Sequence, residues 1–233
     1  MSVHHGFDPA LFTAHRHPLP ERVQAMLSVP PGTMRILLVS HYNYYRNFET
    51  VFRAIAKLTR RPECPPVRLF LTCQLKAEKT PGTYNPLSAA TLIQRLGISE
   101  QVIELGAVPY EQLHHLYRSC DLYVTAAYTE TFAHPLVEAM SCGLPVIASD
   151  LAVHREICQE AAIYFSRFSP EELAAQIARL SNSGVMRHAL AVSGRERSRV
   201  FSWRSHADQL LAIAEQLLSR KGRQLRSRCT AAA

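Results

Sequence analysis

Six short apolar runs punctuate the chain, at 35–41, 67–73, 102–106, 121–127, 145–149 and 161–165. They predict buried strands, and the first, Arg35-Ile-Leu-Leu-Val-Ser-His41, fits a central position in a parallel sheet. Between these runs apolar residues recur at helical spacing. Phe48, Val51, Phe52, Ile55, Ala56 and Leu58 mark a helix over 48–60. After a loop at 76–86 rich in Lys, Pro and Gly, a second helix is expected over 87–96, stopped by Gly97. A third, over 110–119, carries Leu113, Leu116 and Tyr117 on its apolar face and several histidines expected to be exposed. The next begins at Pro135, presents Leu136, Val137, Ala139 and Met140, and ends at Cys142-Gly143. A short helix at 154–157 follows. Ser169-Pro170-Glu171-Glu172 opens another, with a serine cap, a proline in the first turn and acids at the positive end. Two more run over 185–200 and 204–219. Strands alternating with helices predict an α/β fold around a parallel sheet. Residues 1–33, rich in proline and closing on Val29-Pro30-Pro31-Gly32, read as a linker with one short helix over 19–27, not as a core layer. The domain proper is expected over 34–220. A basic tail at 221–233 shows no periodicity and is expected to be disordered.

The polar and aromatic segment 128–134 joins the fourth strand to the helix at Pro135, and two carboxylates bracket the junction. Glu130 lies in the loop and Glu138 about one turn into the helix. Two glutamates at this spacing can be no more than solvated charge. Here, however, they flank a helix N-terminus, whose free N–H groups and partial positive charge suit a phosphate. A carboxylate accepts from two neighbouring hydroxyls at once, which suits a diol. Together they predict a ligand with sugar at both ends and phosphate in the middle. That describes a nucleotide-sugar.

The Glu-x7-Glu spacing, its surroundings ETFAHPLVEAMSCGLPVIASD, and the order of elements resemble the C-terminal, donor-binding domain of retaining GT-B glycosyltransferases. The likeness is to family 4, the glycosyl transferases group 1, and covers about Phe7 to Leu218. It implies a Rossmann-like parallel sheet flanked by helices, one half of a GT-B fold. It also implies a reaction in which a UDP- or GDP-sugar passes its sugar, with retention, to an acceptor not identified by the sequence. By the resemblance, Glu138 holds the nucleotide ribose, Glu130 orients the transferred sugar, and the amides around Phe132, Ala133 and His134 face the diphosphate or sugar. The family's EGFG reads Glu130-Thr131-Phe132-Ala133 here. Both glycines are replaced, and a backbone needing positive φ becomes less comfortable. The family's G-R-x4-K pattern, after the first strand, falls on Ser40, His41 and Arg46. Arg46 stands in the lysine's place and can grip phosphate with a fork of donors. His41, in the arginine's place, is only partly charged near neutral pH. Arg46 and Glu130 are therefore the expected catalytic residues, and His41, Arg46, Glu130, Phe132, Ala133, His134 and Glu138 the expected donor site. The base is expected beside the end of the 102–106 strand. No metal or other cofactor is expected, because a cation and a helix N-terminus cover the phosphates and no Asp-x-Asp motif occurs.

The opening VHHGFDPALF resembles the stretch just after the crossover from the N-terminal domain of such enzymes. The chain is thus expected to be the C-terminal half, with the N-terminal acceptor domain supplied in trans or the open face covered by a second copy. Two other readings stay open: a non-catalytic nucleotide-sugar-binding subunit or truncated fragment that needs a partner domain, and a nucleotide-sugar epimerase of similar architecture.

Composition narrows this little further. With 233 residues, 47% of them hydrophobic and 19% charged, the chain suits one large domain or two small ones. No run approaches a membrane span and the start carries no signal-peptide pattern, so a cytoplasmic protein is expected. The formal charge of +7 is concentrated in 195–228. That stretch suits weak peripheral contact with an anionic membrane at its inner face, and no specific nucleic acid is implied. Six cysteines form no CxxC pair and read as reduced, mostly buried thiols; of the eleven histidines, His4, His5, His15, His17, His114 and His115 are read as sharing no helical face with carboxylates. Neither a disulfide framework nor a zinc site is read from them.

Overall fold

A computed structural model describes residues 3–76 and 85–230, with side chains as far as 219. Most of the loop expected at 76–86 lies outside these residues. Six strands form one sheet: β1 (Met34–Leu38), β2 (Val67–Leu71), β3 (Val102–Glu104), β4 (Leu122–Thr125), β5 (Val146–Ser149) and β6 (Ala162–Phe165). Their order is β3-β2-β1-β4-β5-β6, and every neighbouring pair is parallel. The inner strands are almost wholly buried, whereas the edge strand β3 is half-exposed throughout and β6 at its two middle residues. Burial on both faces is why the runs lack polar alternation. Side chains still divide between two layers: Leu37 and Phe70 enter one core, and Ile36, Leu38, Leu69 and Leu71 the other.

Ten helices enclose the sheet among the described residues: α1 (Pro9–Phe12), α2 (Glu21–Leu27), α3 (Phe48–Leu58), α4 (Leu87–Leu96), α5 (Tyr110–Arg118), α6 (His134–Ser141), α7 (Ala152–Cys158), α8 (Pro170–Ser181), α9 (Gly184–Ser198) and α10 (Trp203–Thr230). Helices α3, α4 and α8 cover one face, and α1, α2, α5 and α6 the other, with α9 laid against α6 and α8. The expected caps form. Gly97 ends α4 at φ +68°, and the Ser169 hydroxyl accepts from the Glu172 amide at 3.1 Å to open α8.

Three expectations need correction. The segment 1–33 is part of the core: Phe7, Phe12, Leu19, Val23 and Leu27 are all buried against α5 and its neighbours. Its prolines place α1 and α2 as short elements, but its apolar residues have the sheet's uncovered face to fill. As a result His114, on the expected exposed face of α5, is buried beneath Phe12, with ring centroids 6.0 Å apart. The last helix also continues to Thr230, where the pattern ended it at residue 219. That extension contains no proline, so nothing in its composition forbids a helix. The loop after β1 holds one turn of 3-10 helix, Tyr44–Arg46. Cys73, Cys120 and Cys158 are buried, Cys64 and Cys142 half-buried, and all five are free thiols.

The chain leaves β1 for β2 and β3 on one side, then returns across the sheet to β4 on the other. At such a reversal the loops after the two adjacent strands diverge and leave a crevice outside their carboxyl ends. Here those loops are 39–47 and 126–133.

Candidate functional site

The crevice at the reversal holds about 450 Å³. Ser40, Arg46 and Thr72 border it on the side of β1 and β2, Val108 on the side of β3, and Pro135 and Glu138 on the side of α6. The loop after β1 is held from within. Buried Asn43 accepts from the Arg46 amide at 3.0 Å through its side chain, and the Ser40 amide donates to Thr72 Oγ1 at 3.0 Å. Asn47 has φ +54° and caps α3; its Nδ2 donates to the carbonyls of Ala126, at 3.1 Å, and Arg167, at 2.7 Å. Asn and Asp tolerate this left-handed conformation better than most residues. The Tyr128 amide donates to the Tyr45 carbonyl at 3.0 Å. These bonds fasten the two loops to each other.

Across that junction Arg46 donates from Nη1 to Glu130 Oε2. The Glu130 side chain is 10% exposed, and its other oxygen accepts from the Thr131 amide at 3.0 Å. Arg46 Nε is buried and has no partner among the described residues. The guanidinium thus keeps a donor in reserve while already neutralised in part by Glu130.

At the start of α6, Ala133 adopts φ +62°. This is the second glycine position of the family pattern, so the positive φ that glycine would accept freely is taken by alanine. The turn leaves the amides of Phe132, Ala133 and His134 without hydrogen-bond partners among the described residues. The Phe132 ring points elsewhere. It is buried against His5, 5.4 Å away between centroids, and Phe201, at 5.6 Å. His134 is exposed at the crevice; desolvation, and then the neighbouring His5, hold its pKa below the usual imidazole value.

Glu138 is 4% exposed, and its Oε2 accepts from the Tyr117 hydroxyl at 2.8 Å. Burial pushes its pKa from 4.5 to about 7, against the lowering effect of the Tyr117 bond. Near neutral pH it therefore exchanges readily between acid and carboxylate.

Of the residues expected from sequence, His41, Arg46, His134 and Glu138 line the crevice. Glu130 joins them through Arg46, whereas Phe132 and Ala133 do not line it and lie in the turn just before His134. Sequence reasoning missed Tyr117, Asn43, Asn47 and Thr72. The asparagines stood in a recognised loop, but Tyr117 and Thr72 reach the site only through the packing of elements remote in sequence.

Residues 24–197 match the family of glycosyl transferases group 1 over about three-quarters of the chain. The chain belongs to that family. Among its curated relatives is the D-inositol 3-phosphate glycosyltransferase of Segniliparus rotundus, 27% identical over 81% of this chain and 41% of the relative. The chain thus spans less than half the length of that relative. A solved sucrose-phosphate synthase from Thermosynechococcus elongatus is 24% identical, with a TM-score of 0.75 over 94% of this chain and 52% of that one. Anabaena HepE, solved with UDP and glucose, is 23% identical with a TM-score of 0.72 over 92% of this chain and 55% of its own. These likenesses establish an α/β, Rossmann-like fold that matches about half of each of those chains. Among the described residues no helix of this group 1 domain is long and apolar enough to cross a membrane.

Proposed function

We propose that this group 1 domain binds a nucleotide-diphosphate-sugar and passes the sugar, with retention, to an acceptor. The observation that carries the reading is one crevice at the strand reversal, bordered by Arg46, by His134 at the end of a turn of unpaired amides, and by buried Glu138. Ribose hydroxyls donate to Glu138. The diphosphate lies over the α6 N-terminus and against Arg46. As the bond from the anomeric carbon to the diphosphate oxygen breaks, negative charge grows on that oxygen, and the amides and guanidinium stabilise it where it appears. Glu130 orients the sugar and, by holding one edge of Arg46, aims the other at the phosphate. This account asks for no metal or other cofactor, and it assigns no protein nucleophile. A uridine diphosphate donor is favoured, because HepE is solved with UDP and with UDP-glucose. The acceptor and a covering domain, from another chain or a second copy, belong to the proposal. So does contact of the basic stretch 195–228 with an anionic membrane surface.

Calorimetric titration with UDP, GDP and UDP-glucose tests this, repeated in two buffers of different ionisation heat near pH 7. Saturable binding is expected, with proton release, because ribose donors favour the ionised form of Glu138. Arg46→Ala should weaken it about tenfold or more, the loss of a charge-assisted hydrogen bond. A folded protein that binds none of the three overturns the reading. Saturable binding with no sugar transferred in the presence of a covering domain and acceptor would leave the non-catalytic subunit.

A further inference from the structure

A second depression lies along the same edge of the sheet, beside the donor crevice. It holds about 310 Å³ at the carboxyl ends of β5 and β6, bordered by Asp150, Arg155, Tyr164, Ser166, Arg167 and Glu172. Its charges cancel. Arg155 donates to both oxygens of Asp150, at 2.5 and 2.9 Å, and lies 4.5 Å over the Tyr164 ring. Glu172 accepts from the Ser166 amide at 2.7 Å and balances Arg167. Two guanidinium groups face two carboxylates, so no surplus charge selects a phosphate or a carboxylate ligand.

An aromatic shelf joins this depression to the donor site. Phe168, 64% exposed, lies 5.6 Å from Tyr128 between centroids, and Tyr128 lies 6.1 Å from Tyr44, itself 61% exposed. Arg167 stands 5.8 Å over Phe168 and donates to the Tyr128 carbonyl at 3.3 Å. Tyr44 and Tyr128 each come two residues before a member of the Arg46–Glu130 pair, on the loops that the Tyr128 amide ties together. The shelf therefore starts where the transferred sugar would leave its diphosphate and runs outward to a polar hollow of no net charge.

We propose that the shelf and hollow form an acceptor-side subsite for a neutral hexopyranose ring. Aromatic faces take the apolar C–H face of such a ring, and the guanidinium N–H groups and carboxylate lone pairs that Arg155, Arg167 and Asp150 do not use in these bonds suit its hydroxyls. Binding to the hollow stands by itself; its role as acceptor side rests on the donor-site reading.

The test uses the full chain, with and without UDP, and ligand-observed saturation-transfer NMR. The probes are the methyl glycosides of glucose, mannose, galactose and N-acetylglucosamine, with glucose 6-phosphate as the anionic control. Transfer to ring C–H protons of at least one glycoside is expected. Its affinity should fall about tenfold in Phe168→Ala and in Arg167→Gln, a stacking or charge-assisted contact each, with UDP affinity and melting temperature unchanged. Both side chains are exposed, so neither substitution threatens the fold. No transfer from any glycoside, transfer insensitive to both substitutions, or preference for glucose 6-phosphate overturns the subsite. UDP titration of the same sample separates the two readings. UDP binding without glycoside binding ends the subsite alone; glycoside binding without UDP binding ends the donor site and leaves the hollow a sugar site.

Discussion

Glu138 shows at the scale of one residue how burial prepares a site. Its carboxyl is removed from water and compensated by a single hydroxyl, and its pKa rises from 4.5 to about 7. A carboxyl raised in this way binds its proton more tightly in the folded than in the unfolded chain. Its contribution therefore favours the fold at low pH and is lost as pH climbs from 4.5 through about 7. Glu138→Gln keeps the acceptor for Tyr117 and removes the titration. Urea unfolding should show the variant gaining about 3 kcal/mol relative to the parent between pH 4.5 and 8. A constant difference across that range would mean Glu138 titrates as it does in water. The glutamate itself was legible, because its spacing from Glu130 stood inside a recognisable helix start. Its pKa was not, since the Tyr117 hydroxyl comes from another helix.

At the scale of the element, α6 starts through a left-handed alanine. The left-handed region costs an L-residue about 1–2 kcal/mol. Replacing Ala133 by glycine would release that strain, but it would lose about 0.8 kcal/mol of methyl burial and about 0.5–1 kcal/mol of unfolded-chain entropy. The terms nearly cancel, so Ala133→Gly should change stability by less than about 0.5 kcal/mol. The same exchange at Ala139, fully buried and inside α6, releases no strain and should cost about 2 kcal/mol. Chemical denaturation of the pair checks this, and equal losses would place Ala133 in ordinary helical backbone. The sequence signalled the junction through the family's glycine pattern. That alanine would accept the positive φ follows only from the loop's attachments, the buried Phe132 ring and the entry of Pro135 into the first turn.

The first 33 residues change the picture of the whole molecule. Read as a linker, they should be expendable. Instead Phe12 packs against Phe7, at 5.4 Å between centroids, and against Tyr117, at 6.2 Å. Tyr117 in turn holds Glu138. The N-terminal segment thus supports the site from behind. Phe12→Ala should destabilise the protein by about 3–5 kcal/mol, the usual cost of deleting a buried phenyl ring. It should also weaken UDP binding measured under conditions where the variant is still folded. Full stability in this variant would restore the linker reading.

The sequence by itself determined the strands, the helices between them and the parallel α/β class, because apolar periodicity and local caps act within a few residues. It also determined which residues lie near the helix start at Pro135. What only the tertiary structure decided was the company those residues keep: Arg46 on Glu130, Tyr117 on Glu138, His114 beneath Phe12, and the Phe132 ring turned from the crevice toward the N-terminal segment. The physical reason is the same in each case. These contacts join residues from 21 to 127 positions apart, and the strand order β3-β2-β1-β4-β5-β6, with the segment folded over it, sets which distant side chains share one dry space.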